Sequence, residues 1–268
     1  MGNIGNTTRR LRARETFTAM IEGGQHPMGT FVMSVDPAVT AVLASAGFTF
    51  VIIDCEHGPN DIQSTLGHIR AAEANGVIPL VRVGENSPRL IQAALDIGAH
   101  GVIVPKISTA AQAEAAVRAA RYGPGGRGMC AAVEGARWAP DSWDEHAEVS
   151  NRSIVVIPLI ETKQGVENAG EIASVEGIDF VLFGAGDLAQ DLGLNMFDDH
   201  EKIVGLYTAA LEAVHENGAK FGVAAGRGFA GQDFSTIAGD LLLLKAAAEQ
   251  RLAQHRSDLS SSRMLSGA

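Results

Sequence analysis

The chain has 268 residues, of which 46% are hydrophobic and 19% charged, with 31 glycines and a formal net charge of −10. That length suits one large domain or two small ones, and the apolar content excludes a disordered chain. The acidic balance excludes a general nucleic-acid binder, which needs a basic face to displace counterions, so any anionic ligand must meet a local positive site.

Arg9, Arg10, Arg12 and Arg14 open the chain as a basic cluster with no apolar signal-peptide core behind it. It reads as the solvated entry of an N-terminal helix, the alternative being a basic arm or targeting segment. Eight runs rich in Val, Ile, Leu and Phe then follow as expected strands, at 28–33, 50–54, 78–83, 101–105, 154–160, 180–184, 220–224 and 241–245. Most are apolar throughout, as expected of parallel strands covered on both faces. Between them lie helix-length segments with apolar residues at three- and four-residue spacing, such as Leu90, Ile91, Ala94 and Leu95. Gly47, Gly76, Gly98, Gly177, Gly218 and Gly239 each precede a strand run, where a left-handed residue ends a helix.

This alternation predicts an α/β fold, one (β/α)8 TIM barrel over residues 1–254 with an N-terminal helix. The GPGGRG stretch at Gly123–Gly128 follows a helix instead of a strand, so it reads as a flexible loop and not as a phosphate cradle. The long interval 122–152 carries both tryptophans, Trp138 and Trp143, and residues 255–268 read as a disordered Ser-rich tail. The longest apolar run, Ile154–Ile160, is far short of the roughly 18 residues of a membrane span. Cys55 and Cys130 are too few for a disulfide scaffold and lack zinc-site spacing. A cytoplasmic protein is expected.

A barrel of this kind carries its active site at the C-terminal strand ends. The polar residues there are Asp54, Cys55, Glu56 and His57 after strand two, Arg82 on strand three, Lys106 after strand four, Glu161 after strand five, and Gly184, Ala185, Gly186 and Asp187 after strand six. Glu161 and Asp187 stand one β/α unit apart, and two such carboxylates need a cation or a shared proton. Without a His or Cys cluster the ion of choice is a hard divalent one, Mg2+ or Mn2+; solvated loop acids or helix caps are the equal alternative. His57 is a general base or a hydrogen-bonded structural residue. Arg82 interrupts an apolar run and needs an anionic partner, either a structural carboxylate or a substrate oxyanion. Asp96, on the next helix, orients a histidine or is an ordinary surface acid. Lys106 and Lys245 are the candidates for a Schiff-base mechanism.

From about Thr16 to Gln254 the sequence resembles the HpcH/HpaI family of class II pyruvate aldolases. The resemblance is carried by DCEHGPND at Asp54–Asp61, PLVRV at Pro79–Val83, ALDIGAHGVIVPK at Ala93–Lys106, RYGPGGRG at Arg121–Gly128, LIET at Leu159–Thr162 and FGAGDLAQDLG at Phe183–Gly193. It implies a metal-dependent carbon–carbon lyase that joins or splits a 2-oxo acid, pyruvate or hydroxypyruvate, and an aldehyde with Mg2+, Mn2+ or Co2+. It also implies a homo-oligomer, a hexamer built as a trimer of dimers, whose last helix is swapped between subunits. By matching positions, Glu161 and Asp187 resemble the metal ligands, and the backbone at Gly184–Asp187 the cradle of the substrate carboxylate, with the Gly186 and Asp187 N–H groups as donors. Arg82 resembles the holder of the keto oxygen, His57 with Asp96 the base and its orienting partner, and Glu56 an acid near the metal. Leu159 stands where a family member has glutamine, and Ala224 where a larger aliphatic residue meets the aldehyde. KAAAEQ at Lys245–Gln250 replaces a glycine-containing turn. An acyl-CoA lyase of citrate-lyase type is the competing enzyme, short of a basic cluster for the nucleotide. A barrel that only binds or assembles competes less well, because His57, Arg82, Glu161 and Asp187 are all present.

Overall fold

Eight parallel strands close into a barrel in chain order: β1 (Met28–Val32), β2 (Phe50–Asp54), β3 (Ile78–Arg82), β4 (Gly101–Val104), β5 (Val155–Ile160), β6 (Phe180–Phe183), β7 (Lys220–Ala224) and β8 (Phe234–Gly239). The computed structural model describes residues 13–224, 226 and 228–266. Arg9, Arg10 and Arg12 of the basic cluster lie outside the described residues, while Arg14 pairs with Asp179. Helix α1 (Ala13–Glu22) precedes the barrel. The strands alternate with α2 (Ala38–Ser45), α3 (Ile62–Ala74), α4 (Pro88–Asp96), α5 (Ala110–Ala120), α6 (Trp143–Ser153), α7 (Lys163–Glu167), α8 (Ala169–Ala173), α9 (Ala185–Asp191) and α10 (His200–Glu216), and α11 (Asp240–Ser266) follows β8. Local chemistry sets these starts: Asp61 caps α3 and Thr109 caps α5, each in a reciprocal capping box.

Seven of the eight strand expectations hold, and the eighth is corrected. The run 241–245 is the first turn of α11, and the strand is Phe234–Gly239. Gly47, Gly76, Gly98, Gly177 and Gly218 all have positive φ at helix ends, whereas Gly239 closes β8. Helix α11 runs to Ser266, through most of the segment expected as a tail, and Gly267 and Ala268 lie outside the described residues. The Gly123–Gly128 loop is tethered: Arg127 is buried, bonds Asp96 at 2.6 Å and lies 4.6 Å over the Tyr122 ring.

Side chains of a strand alternate between two faces, and here one face is the barrel axis and the other the helical layer. Phe50, Ile52, Ile78, Leu80, Ile103, Val155, Ile157, Leu159, Phe180, Leu182 and Phe234 form one cluster inside the barrel. Gly222 makes room there, since a Cβ on it would stand 2.2 Å from the Phe234 ring. At the N-terminal end Phe17 of α1 plugs the barrel, its ring 5.1 Å from Phe50 and 5.6 Å from Phe180. Phe17→Ala is expected to destabilise the protein by about 3–5 kcal/mol and to lower its melting temperature by roughly 10 °C in a calorimetric scan. A loss under about 1 kcal/mol would remove α1 from the core.

Candidate active site

The same period of two that buries Phe50 and Ile52 carries Asp54 to the axis at the open end. It does so too for Arg82 after Ile78 and Leu80, and for Glu161 after Ile157 and Leu159. The three charges therefore crown the apolar plug, and all are buried. β2 and β3 are in register with Asp54 opposite Arg82. Arg82 donates Nε–H to Asp54 Oδ1 at 2.9 Å and Nη2–H to Oδ2 at 2.6 Å, a bidentate pair, while its guanidinium lies 4.7 Å over the Phe31 ring. Burial opposes ionisation of Asp54, but Arg82 and the N–H groups of Glu56 and His57 outweigh it and hold the carboxyl below its usual range. The anionic partner of Arg82 is thus a structural carboxylate, and sequence reading had assigned no role to Asp54. The remaining Nη1 and Nη2 hydrogens are left for a second anion.

Asp54 also shapes the next loop, accepting from Glu56 N–H at 3.0 Å and His57 N–H at 3.3 Å. Glu56 turns inward: its Oε2 lies 3.3 Å from Arg82 Nη1, off the line of a hydrogen bond, and is a buried oxygen with none. His57 is exposed at the rim, with Nε2 4.0 Å from Glu56 Oε1.

Glu161 is 2% exposed, and its Oε1 accepts the Lys106 N–H at 2.9 Å. Lys106 reaches it with φ of 56°, a left-handed backbone that costs a residue with a Cβ about 1–2 kcal/mol. Burial pushes the Glu161 pKa up to about 7; the Lys106 N–H opposes this, and the charges of Asp187 and Glu56 add to it. Gly184 stands against the carboxylate so closely that a Cβ there would lie 2.8 Å from Oε2. Asp187 sits in the first turn of α9, whose N-cap is Gly184, so no side chain caps its free N–H groups. A buried carboxyl that ionises only near neutrality, with the Asp187 carboxylate close enough for its charge to act on it, is a pair of oxygen donors of the kind a hard divalent cation takes. Among the described residues no group of three or more His, Cys, Asp or Glu could hold a metal ion, so a cation on these two carboxylates would draw most of its shell from water and substrate.

Two expectations fail to meet at this rim. Asp96 closes α4, and helices of a barrel run back toward the N-terminal strand ends, so it lies at the opposite face from His57. Its carboxylate accepts from Arg127 at 2.6 Å and from Gln92 at 3.2 Å, and it does not orient His57 within one chain. Lys245 lies on α11 instead of closing a strand, and it pairs with Glu249. Ala224 ends β7 exposed at the rim, and Leu159 is packed inside the barrel.

The sequence profile of the HpcH/HpaI aldolase/citrate lyase family matches residues 27–233. A hydroxypyruvate/pyruvate aldolase of Deinococcus radiodurans is 38% identical over 180 residues, 66% of this chain and 64% of that enzyme. A hydroxypyruvate/pyruvate aldolase of Roseovarius nubinhibens is 32% identical over 91% of this chain and 97% of that one. The crystal structure of an HpcH/HpaI aldolase/citrate lyase family protein from Burkholderia cenocepacia superposes with a TM-score of 0.84 at 29% identity, covering 90% of this chain and 99% of the other.

Proposed function

The chain belongs to the HpcH/HpaI aldolase/citrate lyase family, and we propose that it is a divalent-metal-dependent aldolase acting on pyruvate or hydroxypyruvate and an aldehyde. The observation that carries the reading is the arrangement of Arg82, clamped by Asp54 with N–H groups to spare, beside the buried Glu161. Mg2+, Mn2+ or Co2+ held by Glu161 and Asp187 would supply Lewis-acid polarisation of the 2-oxo acid carbonyl. Arg82 donates to the keto oxygen and gains strength as charge builds there on the way to the enolate. Its orientation is set in advance by Asp54 and Phe31. The uncapped N–H groups of Gly186 and Asp187 bind the substrate carboxylate, and Gly184 and Ala185 keep that approach free of bulk. His57, at the solvent edge, takes a proton from the donor's methyl carbon in condensation or from the distal hydroxyl in cleavage. The small side chain of Ala224 leaves a roomy acceptor side.

Asp96, at the far end of its own barrel, can act on a His57 only across a subunit boundary, in keeping with the hexamer and exchanged last helix proposed here. That arrangement is supported by α11, on which every residue from Leu244 to Leu259 is exposed, including Leu252.

Stripping the protein with a chelator should lower aldol turnover at least about 100-fold, and Mg2+, Mn2+ or Co2+ should restore it across a small matrix of 2-oxo acids and aldehydes. Full turnover of metal-stripped protein, or borohydride trapping of pyruvate on Lys106, would sink the reading. No helix among the described residues is long and apolar enough to cross a membrane.

A further inference from the structure

A small chamber lies where the strands begin, at the opposite end of the barrel from the active site. Its wall includes His100, which immediately precedes β4, and Ile154, which precedes β5. It leaves ≈ 20 Å³ of free space, room for one guest the size of a water molecule or a halide ion. The acids in its wall are already engaged. Glu73 lies 3.2 Å from His100 Nε2, and Glu134 takes the Arg70 guanidinium through both oxygens, at 2.6 and 3.2 Å. Arg127 is held by Asp96. Two groups are left over. His146 on α6 is 5% exposed, with its ring packed against those of Tyr122 and Trp143, and its Nε2 is buried with no hydrogen-bond partner. Burial and the Arg127 charge hold its pKa below the usual histidine value, so the ring is neutral and can present Nε2–H as a donor. Arg137 is the second. Among the described residues no carboxylate forms an ion pair with its guanidinium; burial pushes its pKa down, and the charge that opposes this belongs to Glu134, already clamped by Arg70. The backbone is strained here, since Arg137, Trp138 and Ala139 have φ of 58°, 52° and 73°, three left-handed residues with a Cβ in succession. Trp138 N–H to the Val133 carbonyl at 3.3 Å and Ala139 N–H to the Ala131 carbonyl at 2.7 Å pin the run. Such strain gathers at ligand clamps.

We propose that this chamber binds one small monovalent anion of halide size, received by the Arg137 guanidinium and the Nε2–H of His146, with the Arg127 charge adding to the attraction. Water would satisfy the imidazole but leave the Arg137 charge uncompensated, whereas an anion answers both. The ion ties the 122–152 interval, which supplies Arg127, Arg137 and His146, to the barrel wall at His100. The proposal stands apart from the aldolase reading, because the mouth of the barrel is at the other end.

Bromide is the probe. Replacing sodium gluconate by sodium bromide at a fixed ionic strength of about 0.2 M should raise the melting temperature of the wild type by at least about 2 °C, with a dependence on bromide that saturates. In Arg137→Gln the rise should vanish. Arg137→Gly also removes the cation but relieves the left-handed backbone, so it should lose the rise while keeping the fold, which guards against a misfolded Gln variant. The same rise in wild type and in both variants is a general salt effect and overturns the proposal, as does a wild type that bromide does not stabilise. Crystals of the wild type soaked in sodium bromide then locate the ion. An anomalous peak inside the chamber, against Arg137 and His146, is the expected result. Ordered water there with no anomalous signal, or peaks on the outer surface that mark an adventitious ion only, overturns the proposal.

Discussion

Glu161→Gln should abolish Mn2+ binding in a calorimetric titration and cut aldol turnover by about three orders of magnitude, while making the metal-free protein more stable at pH 8. The stability gain follows from the sign of the pKa shift. The carboxyl ionises near 4.5 when unperturbed and near 7 in the fold. Below both values the two states hold the same proton and nothing is lost. Between them the unfolded chain releases a proton that the folded chain keeps, so stability falls as pH rises, reaching its full penalty above 7. For a side chain this buried the penalty is on the order of 3 kcal/mol, and glutamine escapes it while still accepting the Lys106 N–H. A divalent ion replaces that proton, so Mn2+ affinity in the wild type should climb through pH 7. Equal Mn2+ binding by the Gln variant would remove Glu161 from the ligand set.

The fold was legible because parallel barrel strands are apolar on both faces and stand out against their helices, as Phe50–Asp54 and Val155–Ile160 do. β8 was not legible, for a physical reason. In FSTIAG small polar residues line the barrel wall, with Ser235 and Thr236 both buried, whereas the LLLL that follows is the stronger apolar signal. Four consecutive leucines do not distinguish strand from helix. On α11 they point around the helix, so Leu241, Leu242 and Leu244 are exposed and only Leu243 packs against the cluster of Val32, Leu43, Val51, Ala72 and Val77.

In the site, residues at strand ends could be placed and residues on helices could not. A strand fixes direction by parity, which is why Arg82 and Glu161 share the axis as their positions imply. Asp96 had only its place in a motif, and motif spacing does not say which end of a barrel a helix residue reaches. The partnership of Asp54 with Arg82 was within reach. A buried arginine demands a carboxylate, and in-register parallel strands put Asp54 directly opposite it. Reading the register of β2 against β3 would have found it.

Asp54→Asn should damage stability and chemistry together. It leaves the Arg82 charge buried with its bidentate partner gone, a loss of about 3–5 kcal/mol that lowers the melting temperature by roughly 10 °C. It also frees the guanidinium to turn toward Glu56, 3.3 Å away, so kcat should fall by about 100-fold or more at saturating pyruvate. Because the folded Asp54 carboxyl ionises below its usual range, the wild-type contribution is complete above the unfolded pKa and disappears as pH falls through the folded value. The Asn variant should therefore lose less stability on acidification than the wild type. A paired replacement separates the two roles. Asp54→Leu with Arg82→Met removes both charges from the top of the barrel, where Phe31 and Ile52 already supply apolar neighbours, and should recover most of the lost stability. Turnover should not recover with it, because stability needs only that neither charge be left alone, whereas the reaction needs the arginine itself. A double variant that regained turnover would show that Arg82 supports the fold and takes no part in the chemistry.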